Sequence, residues 1–183
     1  MQRSCAVKSN IGEIAMSPDL FWIPGPWRGK VAIITRPRGG DWLEDEIVGW
    51  RQAGLDVVVS LLEDFEADQL GLSREGLVAK AAGIDFVSFP IPDRSIPGSS
   101  RAAQAMLHEV FVALDGGKTV AVHCRQGIGR SGMVAVGLLM LGGVGLEDAI
   151  SRVGAALGRT IPETPEQMKW LRRWSEELVP SVS

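Results

Sequence analysis

The sequence predicts a single α/β domain built on a central, mostly parallel sheet of four or five strands with helices on both faces. Three observations carry that expectation. Short β-branched apolar runs alternate with longer stretches of helical periodicity. No repeat, low-complexity tract or linker breaks the alternation, and only residues 1–10 and 180–183 read as loose ends. A length of 183 residues suits one domain with a sizeable core of its own.

Taken in order, residues 31–34 form an apolar run that ends at the breakers Pro37, Gly39 and Gly40. Asp41 is then placed to cap a helix carrying Trp42, Ile47 and Trp50, which stops at Gly54. Residues 57–62 read as a strand buried on both faces. Helical stretches follow over 63–70 and 73–82, then a strand over 86–89 and a loop holding Pro90, Pro92 and Pro97. A helix of about fifteen residues, an ordinary length, starts near Ser100 and stops at Gly116. Residues 119–123 are strand, 124–130 a glycine-bearing turn and 131–141 an apolar helix. The last helices run over 146–157 and 165–179, the second opened by the capping-box spacing of Thr164 and Gln167.

Composition narrows the function. With 45% hydrophobic and 22% charged residues and a net charge of −3, the chain lacks the basic footprint of a nucleic-acid or membrane-surface binder. Cys5 and Cys124 make no disulfide framework and point to reduced thiols in a cytoplasm. Two histidines and no paired ligand spacing argue against a metal site. The N-terminal charge is not followed by an apolar run, so no signal peptide is expected. The longest apolar stretch, 133–144, falls short of the ~20 residues that span a bilayer.

The chemistry concentrates between His123 and Ser131. A thiol, Cys124, stands where a buried strand ends and a helix is about to begin, the edge at which open α/β sheets bind ligands. The first helical turn offers unpaired amides and the positive end of a dipole. Gly127 and Gly129 let the backbone of Arg125, Gln126, Gly127, Ile128 and Gly129 curl into an anion nest, and Arg130 adds a planar fork of donors for phosphate oxygens. A cysteine in such a field can titrate at ~3.5–7.5 instead of ~8.5. One loop therefore suits both a tetrahedral dianion and a thiolate, which implies phosphoryl transfer to sulfur and hydrolysis of a phosphocysteine. A leaving alkoxide or phenoxide needs a proton, and Asp93, on the proline-rich loop after the preceding strand, is the candidate acid and later base. Ser131 is placed to donate a hydrogen bond to the departing thiolate.

The segment from His123 to Ser131 matches the pattern HCxxGxxR[ST] and resembles the cysteine-dependent protein tyrosine phosphatase superfamily. The short chain, the 31-residue step from Asp93 to Cys124 (124 − 93) and the motif Pro90, Ile91, Pro92, Asp93 resemble its dual-specificity branch, and the stretch from Gly40, Asp41, Trp42 and Leu43 through Val59, Ser60, Leu61 and Leu62 to Asp93 resembles kinase-associated phosphatase relatives. The resemblance implies a metal-independent phosphomonoesterase without cofactors, with Cys124 as nucleophile, Arg130 as phosphate clamp and Asp93 as general acid on a mobile loop. It implies a phosphorylated protein or peptide as partner, and phosphate, sulfate or vanadate as occupants of the loop. Ile91 stands where receptor-type relatives carry a tryptophan. Ile128 stands where inositol-lipid phosphatases tend to carry a lysine, which weighs against a phosphoinositide substrate.

Other residues have plainer readings. His123 is expected to bond the loop backbone and hold the thiolate. Gln167 aligns with a water-orienting glutamine of some relatives, and its spacing from Thr164 favours a helix cap. Arg94 and Arg125 either face an acidic substrate or solvent. Arg28, Lys30, Arg36 and Arg38 read as a solvated edge, Glu63, Asp64, Glu66 and Asp68 as an exposed acidic helix face, and the six tryptophans as core. A chain without tyrosine cannot be regulated by its own tyrosine phosphorylation. Rival expectations are a phosphopeptide-binding module of weak turnover, a phosphoinositide phosphatase, and a sulfurtransferase or arsenate reductase. Arg130 followed by Ser131 suits phosphate better than the last pair, and arsenate reduction needs resolving cysteines that the chain lacks.

Overall fold

The computed structural model describes residues 18–178. Expectations for residues 1–10 and 180–183, for Cys5 and for the N-terminal segment lie outside the described residues. Within them stands the expected α/β architecture: strands β1 (Leu20–Ile23), β2 (Lys30–Ile34), β3 (Val57–Ser60), β4 (Asp85–Ser88) and β5 (Thr119–His123), and helices α1 (Leu43–Gln52), α2 (Asp64–Gln69), α3 (Glu75–Ala81), α4 (Ser100–Asp115), α5 (Gly129–Leu141), α6 (Leu146–Leu157) and α7 (Pro165–Leu178).

The sheet order is β1-β2-β5-β3-β4. β2, β5, β3 and β4 run parallel, with Val31 beside Val120 and Val57 beside both Val120 and Asp85. β1, which sequence reading does not anticipate, adds an antiparallel edge with Ile23 opposite Val31. Only Ile23 of its four residues is buried, so β1 has little hydrophobic signature of its own and is held by pairing with β2. The strand after 85 is also not a neighbour of β5, because β3 lies between them. Parallel direction still brings the loops after β3, β4 and β5 to the same carboxyl edge of the sheet.

Alternation along the strands splits the core in two. Val31, Ile33, Val57, Val59, Val120 and Val122 share one layer with α4, α5, α6 and α7, in which α7 packs on α5. Ala32, Ile34, Val58 and Ala121 face α1 and α3 in the other. α5 is buried along twelve of its thirteen residues, because it packs against the sheet with α4, α6 and α7 around it. At Gly137 a Cβ would come within 2.4 Å of the Trp174 ring, so a side chain there would push α7 off α5. Burial of this kind contributes about 25 cal/mol per Å² of apolar surface, and it anchors the helix whose first turn borders the thiol.

Two local expectations need correction. Asp41 caps no helix: residues Gly40–Trp42 form a 3-10 turn, and α1 begins at Leu43 without a side-chain cap. Two of the six tryptophans are surface residues, Trp22 under Lys30 and Trp42 under Arg38, each offering its ring to a cation.

Candidate active site

Cys124 follows the last residue of β5 and is buried, its Sγ accepting a hydrogen bond from the Gly127 amide at 3.2 Å. The sulfur is thus enclosed by its own loop. Gly127 makes the curl with φ of +71°, and a Cβ there would also press on the Ile34 carbonyl at 3.1 Å. α5 begins at Gly129, two residues earlier than the sequence suggests, and Ile128 supplies no side-chain cap. The first-turn amides of α5 are therefore left to the loop. Over Gly129 lies the Glu163 carboxylate, which a Cβ at that position would strike. Arg125 and Gln126 are exposed at the rim, and Ile128 is half-buried.

Arg130 is the centre of the site, buried to 2% exposure. Its Nη1 donates to Glu66 Oε2 at 2.6 Å, and its Nη2 donates to Glu66 Oε1 at 3.0 Å, a two-pronged pair of the strong kind. Nη1 also donates to the Ile91 and Leu61 carbonyls at 2.9 and 3.3 Å, and Nη2 to Asp93 Oδ1 at 3.0 Å. Residues after β3, β4 and β5 thus meet on one guanidinium. Burial works against its charge, but the Glu66 hydrogen bonds and the Coulombic interactions with Cys124, Glu66 and Asp93 outweigh it and raise the Arg130 pKa.

Glu66 overturns the expectation of an exposed acidic face on α2. Asp64 and Asp68 are exposed as expected, but Glu66 is buried to 1% and turned toward Arg130. It also accepts from the Glu63 amide at 3.0 Å, closing a capping box at the start of α2. Burial raises the Glu66 pKa, and the bonds from Arg130 and Glu63 with the charges of Arg130 and Arg125 more than reverse this, leaving it below the ordinary carboxylate value. A signal was present in the sequence: Glu66 stands one turn from both Leu62 and Leu70, on the apolar side of the helix.

Asp93 projects from the loop after β4 and is 61% exposed at its side chain, reaching inward only to Arg130. Next to it Arg94 is the one non-glycine residue with positive φ among the described residues, at 56°. Arg94 is exposed, and its strained backbone turns the chain sharply beside the carboxylate. The loop is held from the far side by Gln167. This residue is fully buried; its Nε2 donates to the Ser95 carbonyl at 3.1 Å and its Oε1 accepts from the Glu163 amide at 3.1 Å. Its own amide donates to Thr164 Oγ1 at 3.2 Å, so the expected cap is present together with a tie to the Asp93 loop.

Ser131 is buried in α5 with its Oγ unbonded, and no hydrogen bond joins it to Cys124. His123 differs from expectation. Its side chain points to the opposite face of the sheet from Cys124, its ring tilted 52° against that of Trp50 with ring centres 5.9 Å apart. It bonds no loop amide; Nε2 lies 2.8 Å from Glu75 Oε1, out of line for a hydrogen bond. The cause is the strand alternation, which sends residues 121 and 123 to one layer and 122 and 124 to the other.

Residues 33–143 match the family described as the DSP-PTPase phosphatase of polymorphic toxin systems. No curated protein matches the sequence. Among solved structures, Tk-PTP in its active form is 31% identical, with 88% of this chain and 99% of that one covered and a TM-score of 0.72. Kinase-associated phosphatase, with its catalytic cysteine replaced by serine, shares the fold at 16% identity, covering 90% and 98% of the chains with a TM-score of 0.80. PTPMT1 in complex with PI(5)P shares it at 16% identity, covering 86% and 96%, TM-score 0.69. The chain therefore belongs to the DSP-PTPase phosphatase family of polymorphic toxin systems, within the cysteine-based dual-specificity phosphatases, and is a phosphatase of the tyrosine or dual-specificity type.

Proposed function

We propose that the protein hydrolyses phosphomonoesters on proteins, phosphotyrosine foremost, through a phosphocysteine on Cys124 and without a metal. The observation that carries the reading is the enclosure of Cys124 Sγ by the Gly127 amide, one loop away from a buried Arg130 that also holds Asp93. In the first step Sγ attacks phosphorus in line, the S–P bond forming as the bond to the leaving oxygen breaks. Arg130 and the amides from Arg125 to Gly129 neutralise the equatorial oxygens. Asp93 gives its proton to the leaving oxygen, then takes one from the water that attacks the phosphocysteine. Ser131, whose hydroxyl has no competing partner, donates to the sulfur as it departs.

Phosphoserine and phosphothreonine are substrates only if the cleft is shallow enough for their short side chains. Arg94 and Arg125, both exposed, favour acidic residues beside the phosphate. Gln167 acts as a cap and loop tie, since both ends of its amide are engaged by backbone. Phosphate, sulfate and vanadate occupy the same loop, and a cytoplasm suits a free nucleophilic thiol.

The test is hydrolysis of para-nitrophenyl phosphate with a chelator present. Cys124→Ser is expected to abolish turnover, and Asp93→Asn to lower the rate strongly while vanadate binding persists. Turnover that survives Cys124→Ser rejects the covalent route. Wild type that binds vanadate and never turns over indicates a phosphopeptide-binding module instead.

A further inference from the structure

The loop that carries Cys124 holds two glycines, and they are there for different reasons. Gly127 is required by its positive φ, whereas Gly129, the first residue of α5, is not among the residues with positive φ. What demands a glycine at 129 is space. A Cβ there would strike Glu163 Oε2 and lie 2.9 and 3.2 Å from Glu163 Cδ and Cγ, so its three nearest neighbours all belong to one side chain. Glu163 thus lies along the bare face of Gly129, and the absent methyl is its seat.

The chain around Glu163 places the backbone from which that side chain springs. The Glu163 amide donates to Gln167 Oε1 at 3.1 Å, Thr164 caps α7 through the Gln167 amide, and Gln167 is fully buried. The Glu163 side chain is exposed, beside the positive end of α5, where a negative charge is stabilised. Among the described residues it has no ion-pair partner. Arg130, next to Gly129, is committed to Glu66 and Asp93, and Arg94, next to the Ser95 that Gln167 also holds, makes no ion pair with it. At the other end of the loop Arg125 is exposed and acts electrostatically on Glu66 of α2. The rim thus carries an unpaired negative charge on its α7 side and a positive one on its α2 side. An anion held beside a loop suited to an anion is a repulsive element, and specificity is built from repulsive elements as well as attractive ones.

We propose that Glu163 is a specificity-determining residue, which selects phosphorylated polypeptides carrying a lysine or arginine beside the phosphorylated residue on the α7 side of the loop. The same carboxylate turns away substrates that bring a second anionic group to that side, further phosphates included. The proposal rests on the reading of residues 124–130 as the phosphate site. It makes the fitting substrate asymmetric in charge, with a cation toward Glu163 and acidic groups toward Arg125.

The test compares phosphotyrosyl peptides with lysine, norleucine or glutamate directly before or directly after the phosphotyrosine, on the full chain. At one of the two positions lysine is expected to raise kcat/KM about two- to fivefold over norleucine, the worth of one exposed charge pair, with glutamate below both. The advantage should shrink at high salt, as a screened interaction must. Glu163→Gln, an exposed change of nearly the same shape, is expected to abolish it. Vanadate brings no cation of its own, so Glu163→Gln should bind it about two- to fivefold more tightly than wild type, a gain that mere loss of a structural contact does not give. No lysine advantage at either position, an advantage that survives Glu163→Gln, or vanadate affinity not raised in that variant overturns the proposal. Peptide binding by Cys124→Ser protein, read by fluorescence anisotropy, needs no turnover. A lysine preference there that Glu163→Gln removes, beside a wild type that never hydrolyses, sinks the catalytic reading and leaves the role of Glu163 standing.

Discussion

Removing Glu66 is the sharpest test of how Arg130 is held. The carboxylate makes two charge-assisted contacts to the guanidinium, at 2.6 and 3.0 Å, with both side chains 1% exposed. Glu66→Ala leaves a buried cation with two carbonyls and the outlying Asp93. Breaking a buried pair from one side costs about 3–5 kcal/mol, a large share of the ~5–15 kcal/mol that holds a domain of this kind together. Glu66→Gln keeps the shape and one acceptor, and is expected to lose about 1.5–3 kcal/mol. The pH dependence has a definite sign. Because the folded pKa of Glu66 lies below its ordinary 4.5, the stabilisation is fully present above that unfolded value. It is lost as pH falls through the folded one. Urea unfolding of wild type and Glu66→Gln should therefore show a constant gap near neutrality that narrows in acid. A Glu66→Ala protein that loses less than about 1 kcal/mol at pH 7, or a gap unchanged in acid, refutes the reasoning. On the proposed role of Arg130 as phosphate clamp, activity should fall with stability, since the guanidinium loses the carboxylate that fixes its orientation.

Other expectations follow from the same geometry. Asp93→Asn should barely move thermal stability, because the Asp93 side of its pair with Arg130 is 61% exposed and such a pair is worth about 0–1 kcal/mol, while kcat drops; an unchanged kcat removes Asp93 from its role. Gly127→Ala forces a side chain into φ of +71° and against the Ile34 carbonyl, and should cost about 1–2 kcal/mol in chemical denaturation and most of the turnover. Gln167→Ala frees the Ser95 carbonyl and should speed amide exchange across residues 92–98; exchange left unchanged would show that the loop is held by other contacts. Gly129→Ala sets a methyl against the Glu163 carboxylate, which can swing away into solvent, so a loss of stability above about 1 kcal/mol would show that Glu163 is tied down.

What could be read in advance shares one property: the interacting groups are close in the chain. The β-branched runs of β2, β3 and β5 announce strands buried on both faces, and helix α6 stands at the bounds its periodicity suggests. β1 was not legible, because three of its four residues are not buried and its order comes from pairing with β2. Asp41 looked like a cap because Asp favours that position, yet the chain spends it on a 3-10 turn before α1.

The sequence by itself determined the tight loop that carries Cys124, Gly127, Gly129 and Arg130, since seven consecutive residues can shape a loop with little outside help, and with it the superfamily. Only the tertiary structure decided which groups keep Arg130 charged in the interior, where Asp93 meets it, and why His123 turns to Glu75 instead of the loop. Those partners lie tens of residues away along the chain. A side chain's desolvation and its Coulomb neighbours depend on what packs over it, and that is written in the fold as a whole rather than in any local run of residues.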